Sequence, residues 1–157
     1  MPIPDFTADG VLPPGRYGCT QAEFYQRFVA AFPGSKTREP LYRGWEAHWK
    51  TVSAVVPILS EWIDGSFVEE KTDPNDIDLC VILDGPVVDG LPLAARQALF
   101  RLVTPVGKPL FNCHCFPILV YPDGHPYRNY YFRNRGQWDS WWGETRSNSP
   151  KGYVEVR

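Results

Sequence analysis

Two short motifs hold the residues best suited to chemistry. Gly65-Ser66 ends an apolar run, and nine residues further on comes Asp76-Ile77-Asp78. Side chains alternate along a strand, so Asp76 and Asp78 face the same way, about 7 Å apart, while Ile77 turns into the core. Two carboxylates this close repel each other unless a cation lies between them. Hard oxygen ligands suit Mg²⁺ (or Mn²⁺), and Mg²⁺ commonly takes one or two carboxylates together with substrate phosphates. Ions held this way can clamp the attacking and leaving oxygens of a phosphoryl or nucleotidyl transfer. Gly65 lets backbone come close to a phosphate, and Ser66 adds a hydroxyl donor. A helical turn opening at Ser66 adds N–H groups and a dipole that favour an anion. Lys71 lies between the two motifs, as a holder of a terminal phosphate or as a solvated loop lysine. Asp64 reads as a turn residue, because Asp-Gly is a common turn pair.

The elements around these motifs follow from periodicity. Residues 1–19 read as an extended, Pro/Gly-rich arm. Thr20-x-x-Glu23 is a capping box that opens a helix, with Phe24, Phe28 and Phe32 on one stripe and Pro33-Gly34 as its stop. A second helix is expected from Leu41 to Val56, ended by Pro57. Leu59 to Ile63 reads as a short strand and Glu69 to Asn75 as a polar loop. Asp76 to Leu83 alternates as a buried strand. The run from Asp84 to Gly90 reads as a loop and Leu91 to Val103 as a helix. Asn112 to Tyr121 is expected to be a strand and Pro122 to Pro126 a turn. A short helix is expected over Gln137 to Gly143, and a last strand over Lys151 to Arg157. This order predicts a single domain over residues 1–157 of the α/β (α+β) class: a mixed β-sheet flanked by helices, with an N-terminal helical extension.

Composition narrows the partners. The chain has 157 residues, 16 Lys+Arg against 18 Asp+Glu, and a net charge of −2. That balance argues against sequence-specific duplex DNA. Charge is uneven: residues 1–120 carry 10 basic and 14 acidic side chains, and residues 121–157 carry 6 and 4. The longest apolar stretch, Ala54 to Leu59, is too short for a membrane span, and the start shows no signal-peptide pattern. The four cysteines, Cys19, Cys80, Cys113 and Cys115, form no CxxC pair and read as reduced thiols in a cytoplasmic protein.

An apolar residue, Gly-Ser, a gap of about ten and Asp-x-Asp together resemble the DNA polymerase beta-like nucleotidyltransferase superfamily. The run Trp62-Ile63-Asp64-Gly65-Ser66-Phe67-Val68, then Lys71, then Pro74-Asn75-Asp76-Ile77-Asp78, is similar more narrowly to small, uncharacterised bacterial and phage nucleotidyltransferase-like proteins. Ile3-Pro4-Asp5-Phe6, Leu12-Pro13-Pro14-Gly15, Trp138 and Lys151-Gly152 fit the same group. The resemblance implies a minimal nucleotidyltransferase fold. It also implies Mg²⁺-dependent transfer of a nucleotide from an NTP to a hydroxyl on RNA, protein or a small molecule, in a setting such as toxin–antitoxin or phage defence. In that reading Gly65 and Ser66 hold phosphates, and Asp76 and Asp78 bind the metal. The superfamily's third acid should fall in Asn112-Cys113-His114-Cys115-Phe116, which has no Asp or Glu. His114 takes that position, with Asn112 next in line. An imidazole can accept a proton or bind a metal but brings no negative charge. The alternative is a catalytically impaired nucleotide-binding or protein-interaction module that keeps the fold.

Other residues invite competing readings. Cys113-His114-Cys115 suggests zinc, but on a strand the thiols and the imidazole point apart, so a buried pair of thiols is preferred. His48 lies on the apolar stripe of the second helix and reads as a core histidine. Arg128, Arg133 and Arg135 interleave with Tyr127, Tyr130, Tyr131, Phe132 and Trp138. Such a pattern could stack bases and meet phosphates. Core packing with surface arginines is the preferred reading.

Overall fold

The structure is a computed structural model and describes residues 3–145 and 147–157. The α+β class holds: a five-stranded mixed sheet carries helices on both faces. The sheet runs β1-β5-β2-β3-β4. Its strands are β1 (Gly15–Cys19), β2 (Ile58–Asp64), β3 (Ile77–Asp84), β4 (Cys113–Val120) and β5 (Gly152–Val156). β1 is parallel to β5, β2 is antiparallel to both β5 and β3, and β4 is parallel to β3.

The N-terminal segment is not wholly an arm. Gly15–Cys19 pairs with β5 from the far end of the chain, so the two termini close one side of the sheet. The capping box forms as expected: Glu23 N–H donates to the Thr20 hydroxyl and Thr20 N–H donates to the Glu23 carboxylate. Helix α1 (Gln21–Tyr25) runs on as a π-helical turn, Gln26–Ala30, which buries Phe28 and Val29. Helix α2 (Arg38–Ser53) starts one turn earlier than its apolar stripe suggests and presents Leu41, Tyr42, Trp45 and Val52 to the core.

The segment after β3 is helical rather than a loop. Asp84 caps α3 (Gly85–Asp89) by accepting from Val87 N–H, and Pro86 sits where its missing N–H costs nothing. Helices α4 (Leu93–Leu102) and α5 (Lys108–Phe111) follow, and α6 (Arg128–Trp142) begins nine residues before its expected start at Gln137.

Alternation along the strands gives the sheet two different faces. Ile63, Leu79, Val81, Cys113, Cys115 and Val154 point into the main core with Phe24, Phe28, Trp45 and Leu99. Trp62, Cys80, Ile82, Ile118 and Tyr153 point the other way and are covered by Trp142 of α6. Helix α6 runs antiparallel to β4: Tyr127 meets Tyr121 at the far end of the strand, while Trp138 meets Phe116 near its start. All four cysteines are buried and unbridged. Among the described residues, no helix is long and apolar enough to cross a membrane.

Candidate functional site

Three neighbouring strands bring the motifs together. Asp64 of β2 lies in register with Asp78 of β3, and Asp78 lies in register with His114 of β4. All three side chains share the α6 face of the sheet. After Asp64 the chain bends into a four-residue 3₁₀ turn, Gly65–Val68. Gly65 has φ +73°, and a Cβ there would run into the Asp78 carboxylate. Glycine is therefore required twice, for its backbone angle and for the close approach of the bend to the second aspartate.

The acids carry a marked electrostatic load. Burial, and then the negative charge of Asp76, push the Asp78 carboxyl above the usual range; His114 and Lys108 pull it partly back. His114 Nδ1 stands 3.0 Å from Asp78 Oδ1. With the proton on Nδ1, the imidazole donates to Asp78 and leaves the Nε2 lone pair free. Asp76 meets the Lys108 ammonium, whose pKa is raised first by that hydrogen bond. The long side chain of Lys108 is 43% exposed, so the ammonium can leave.

These residues suit one kind of metal site. A cation already stands beside the acid pair, in the form of the Lys108 ammonium. Among the described residues, no three His, Cys, Asp or Glu side chains converge as a ready-made metal cage. Two carboxylates fit a single Mg²⁺ or Mn²⁺ that arrives with phosphate oxygens of its own. His114, in register with Asp78, brings no negative charge for a second ion.

Asp64 is not a turn residue in water. It is 5% exposed and accepts from Lys151 Nζ at 2.8 Å, and Lys151 also reaches Glu69 at 3.2 Å. Burial raises the Asp64 carboxyl to about 6, with Lys151 opposing the shift. Burial also works against the Lys151 charge, but Asp64 and Glu69 outweigh it and hold the ammonium protonated.

Arg38 sets the loop behind the bend. Its guanidinium is fully buried and donates to the carbonyls of Phe28 (2.7 Å), Phe67 (2.6 Å), Glu69 (2.7 Å) and Lys71 (2.6 Å). Lys71 is thus fixed through its backbone. Its side chain is exposed and makes none of the site's ion pairs. Asn112 takes a left-handed conformation (φ +55°) at the end of α5, and its carbonyl accepts from Ile77 N–H. It works as a backbone corner, not as a substitute acid.

Cys113 and Cys115 face the main core and His114 faces α6, as alternation requires. From His114 a run of rings leads away over the sheet. Phe116 lies 4.8 Å from His114, Trp138 lies 4.9 Å from Phe116, and Trp141 lies 4.9 Å from Trp138. The aromatic tail therefore splits. Tyr131, Trp138 and Trp142 pack on the sheet, while Tyr130 and Trp141 are 57% and 61% exposed.

Arg38, Lys108 and Lys151 are the site's supporting cations that the motifs did not reveal. No local signal marked Arg38, which lies three residues before the expected helix start at Leu41; the structure places it in the first turn of α2, where a cation opposes the helix dipole. No curated protein matches the chain, and no solved structure does. The family model of DUF6932, a family of unknown function, matches residues 4–157, and the chain belongs to that family.

Proposed function

We propose that the chain is a nucleotidyltransferase that uses Mg²⁺ or Mn²⁺ to move a nucleotide from an NTP onto a hydroxyl of RNA, protein or a small molecule. The observation that carries this reading is the contact between the Gly65-Ser66 bend and Asp78, with Asp76 beside it. A phosphate-binding bend and a carboxylate pair are useful together only if one ligand touches both. A triphosphate with its cation is such a ligand. The resemblance of Gly65-Ser66 and Asp76-Ile77-Asp78 to the polymerase beta-like superfamily supports the same conclusion.

In this reading Ser66 donates its hydroxyl to the triphosphate, and Gly65 lets the backbone approach it. Asp76 and Asp78 hold the divalent ion, which when bound withdraws charge from the phosphate under attack and from the leaving pyrophosphate. Lys108 releases Asp76 and turns its ammonium to a phosphate oxygen. His114, held by Asp78 through Nδ1, takes the proton of the acceptor hydroxyl on Nε2. The new bond joins the acceptor oxygen to the α-phosphorus, and pyrophosphate departs.

A second reading has its own support. His114 in the register position of a third acid, and Lys108 on Asp76, describe equally a module that binds nucleotide and transfers nothing. Incubation with each α-labelled NTP, Mg²⁺ or Mn²⁺, and total RNA or protein separates the two. Label transfer that disappears in Asp76→Ala and Asp78→Ala supports the enzyme. NTP binding without transfer supports the module, and absence of both overturns both.

A further inference from the structure

Helix α6 carries an exposed stripe that packing does not explain. Exposed Tyr130, Gln137 and Trp141, with half-buried Asn134, recur at intervals of four, three and four, so they line one flank of the helix over about 16 Å. The adjoining face, about 100° round the helix, is the one that packs: Trp142 lies 5.9 Å from Tyr153 of β5. The exposed flank therefore overhangs β4, the edge strand. Its Trp141 end reaches Phe116, at 6.4 Å, and through Phe116 the side of His114.

The stripe does not look like a seat for another helix or strand. Its two rings stand eleven residues apart, with the amides of Asn134 and Gln137 between them. Arg133 is exposed three residues after Tyr130, and α6 itself carries Arg128, Arg133 and Arg135 against one acid, Asp139. Separated rings offer faces to bases, amides read base edges, and the helix arginines suit a phosphate backbone.

We infer that the Tyr130–Trp141 flank of α6 is a track for a single-stranded nucleic acid, which it leads to the His114 side of the site. This rests on the transfer reading in one respect, namely that the bound strand then supplies the accepting hydroxyl.

Fluorescence anisotropy of labelled decameric oligoribonucleotides, titrated with the full chain, tests the track. The wild type binds, and Trp141→Ala and Tyr130→Ala each weaken binding about tenfold, the loss expected for one stacked base. Both rings are exposed, so neither variant endangers the fold. Gln97→Ala, at an exposed position of α4 on the main-core side of the sheet, binds like the wild type, because it lies away from the track. Matching deoxy-decamers separate the sources: equal binding shows recognition by stacking alone, and loss of binding shows that the 2′-hydroxyl is read. Absence of binding to either strand, or full-strength binding by both ring variants, overturns the inference. Failure of the transfer reading shows differently, as ring-dependent binding with no label transferred.

Discussion

Arg38 and Lys71 lie 33 residues apart, and the Arg38 guanidinium grips the Lys71 carbonyl twice, from Nη2 at 2.6 Å and from Nε at 3.2 Å. The same group also holds Phe28, Phe67 and Glu69 by their carbonyls. A planar fork of five donors can satisfy several inward-facing carbonyls at once, and no other side chain has that geometry. The bend at Gly65-Ser66 is thus anchored from behind by α2, and that side of the site inherits the rigidity of the main core.

Replacing Arg38 by Met keeps the bulk and removes every donor. The released carbonyls of Phe28 and Phe67 are buried, and each unsatisfied one costs about 1–3 kcal/mol. Arg38→Met is expected to lower the unfolding free energy by about 3 kcal/mol or more in urea titration. Amide exchange should quicken first over residues 67–71. Arg38→Lys should recover little, because one ammonium cannot reach four carbonyls.

Glu61 gives the fold an unusual response to pH. It is fully buried, accepts from Trp45 Nε1 at 2.5 Å, and is pushed by burial from 4.5 up to about 8. Its Oε1 lies 3.7 Å from His48 Nδ1, and neither atom has another partner. His48 Nε2 lies 3.2 Å from the Leu102 carbonyl, and burial lowers the imidazole pKa. A neutral His48 that donates from Nε2 leaves Nδ1 to face a protonated Glu61. The folded chain therefore keeps a proton that the unfolded chain releases above about pH 4.5. The stability this gives is complete below that pH and is lost as pH rises to about 8. Asp64, raised to about 6, acts in the same direction over a narrower window. Glu61→Gln should remove most of the slope and be more stable than the wild type above pH 8, by on the order of 3 kcal/mol. Thermal melts across pH 4–9 check this, and parallel curves for the two proteins would contradict it.

Strands β2, β3 and β4 and the Asp76-Ile77-Asp78 pair were legible because the signals are local, whereas Asp64 reads as a turn residue and the structure buries it at the end of β2. Alternation sets the faces, and Gly-Ser and Asp-x-Asp mark the strand ends. Strand β1 was not legible: its sequence, GRYGC, holds two glycines and little alternation, and its partner comes from the other end of the chain. The start of α6 was hidden because Arg128 to Gln137 has aromatics on several faces and no single apolar stripe. Asp84-Gly85-Pro86 looks like a turn, and the structure uses the same residues to cap and open α3. Lys108 and Lys151 have partners 32 and 87 residues away, and nothing local to a lone lysine reveals such a pairing.

Two glycines make a matched pair for the bend. Gly65 (φ +73°) lies against the Asp78 carboxylate, while Gly124 (φ +81°) has nothing near its missing Cβ. Alanine at either position meets the left-handed backbone strain, about 1–2 kcal/mol. Only at Gly65 does the methyl also displace Asp78. Gly124→Ala should lose stability by that amount and keep nucleotide binding. Gly65→Ala should lose more and bind NTP at least tenfold more weakly, measured by equilibrium dialysis with Mg²⁺. Equal effects at the two positions would remove the contact with Asp78 from the argument.

On the proposed transfer reading, His114 decides what the site can do with a nucleotide once it is bound. Its Nδ1 is tied to Asp78, so only Nε2 can take a proton from an acceptor. A positioned base contributes roughly 10²–10⁴-fold to a rate. His114→Ala should therefore cut transfer about a hundredfold or more while leaving the KM for NTP nearly unchanged, since the Gly65-Ser66 bend and the aspartates remain. His114→Asp returns a carboxylate to the strand position beside Asp78 and should restore part of the rate. Gln can hold the Asp78 contact but cannot accept the proton at neutral pH, so His114→Gln should behave like Ala in kcat. Transfer at the wild-type rate in the Ala variant would show that the acceptor loses its proton elsewhere. The imidazole would then serve only to steady Asp78, a role the Gln variant could fill.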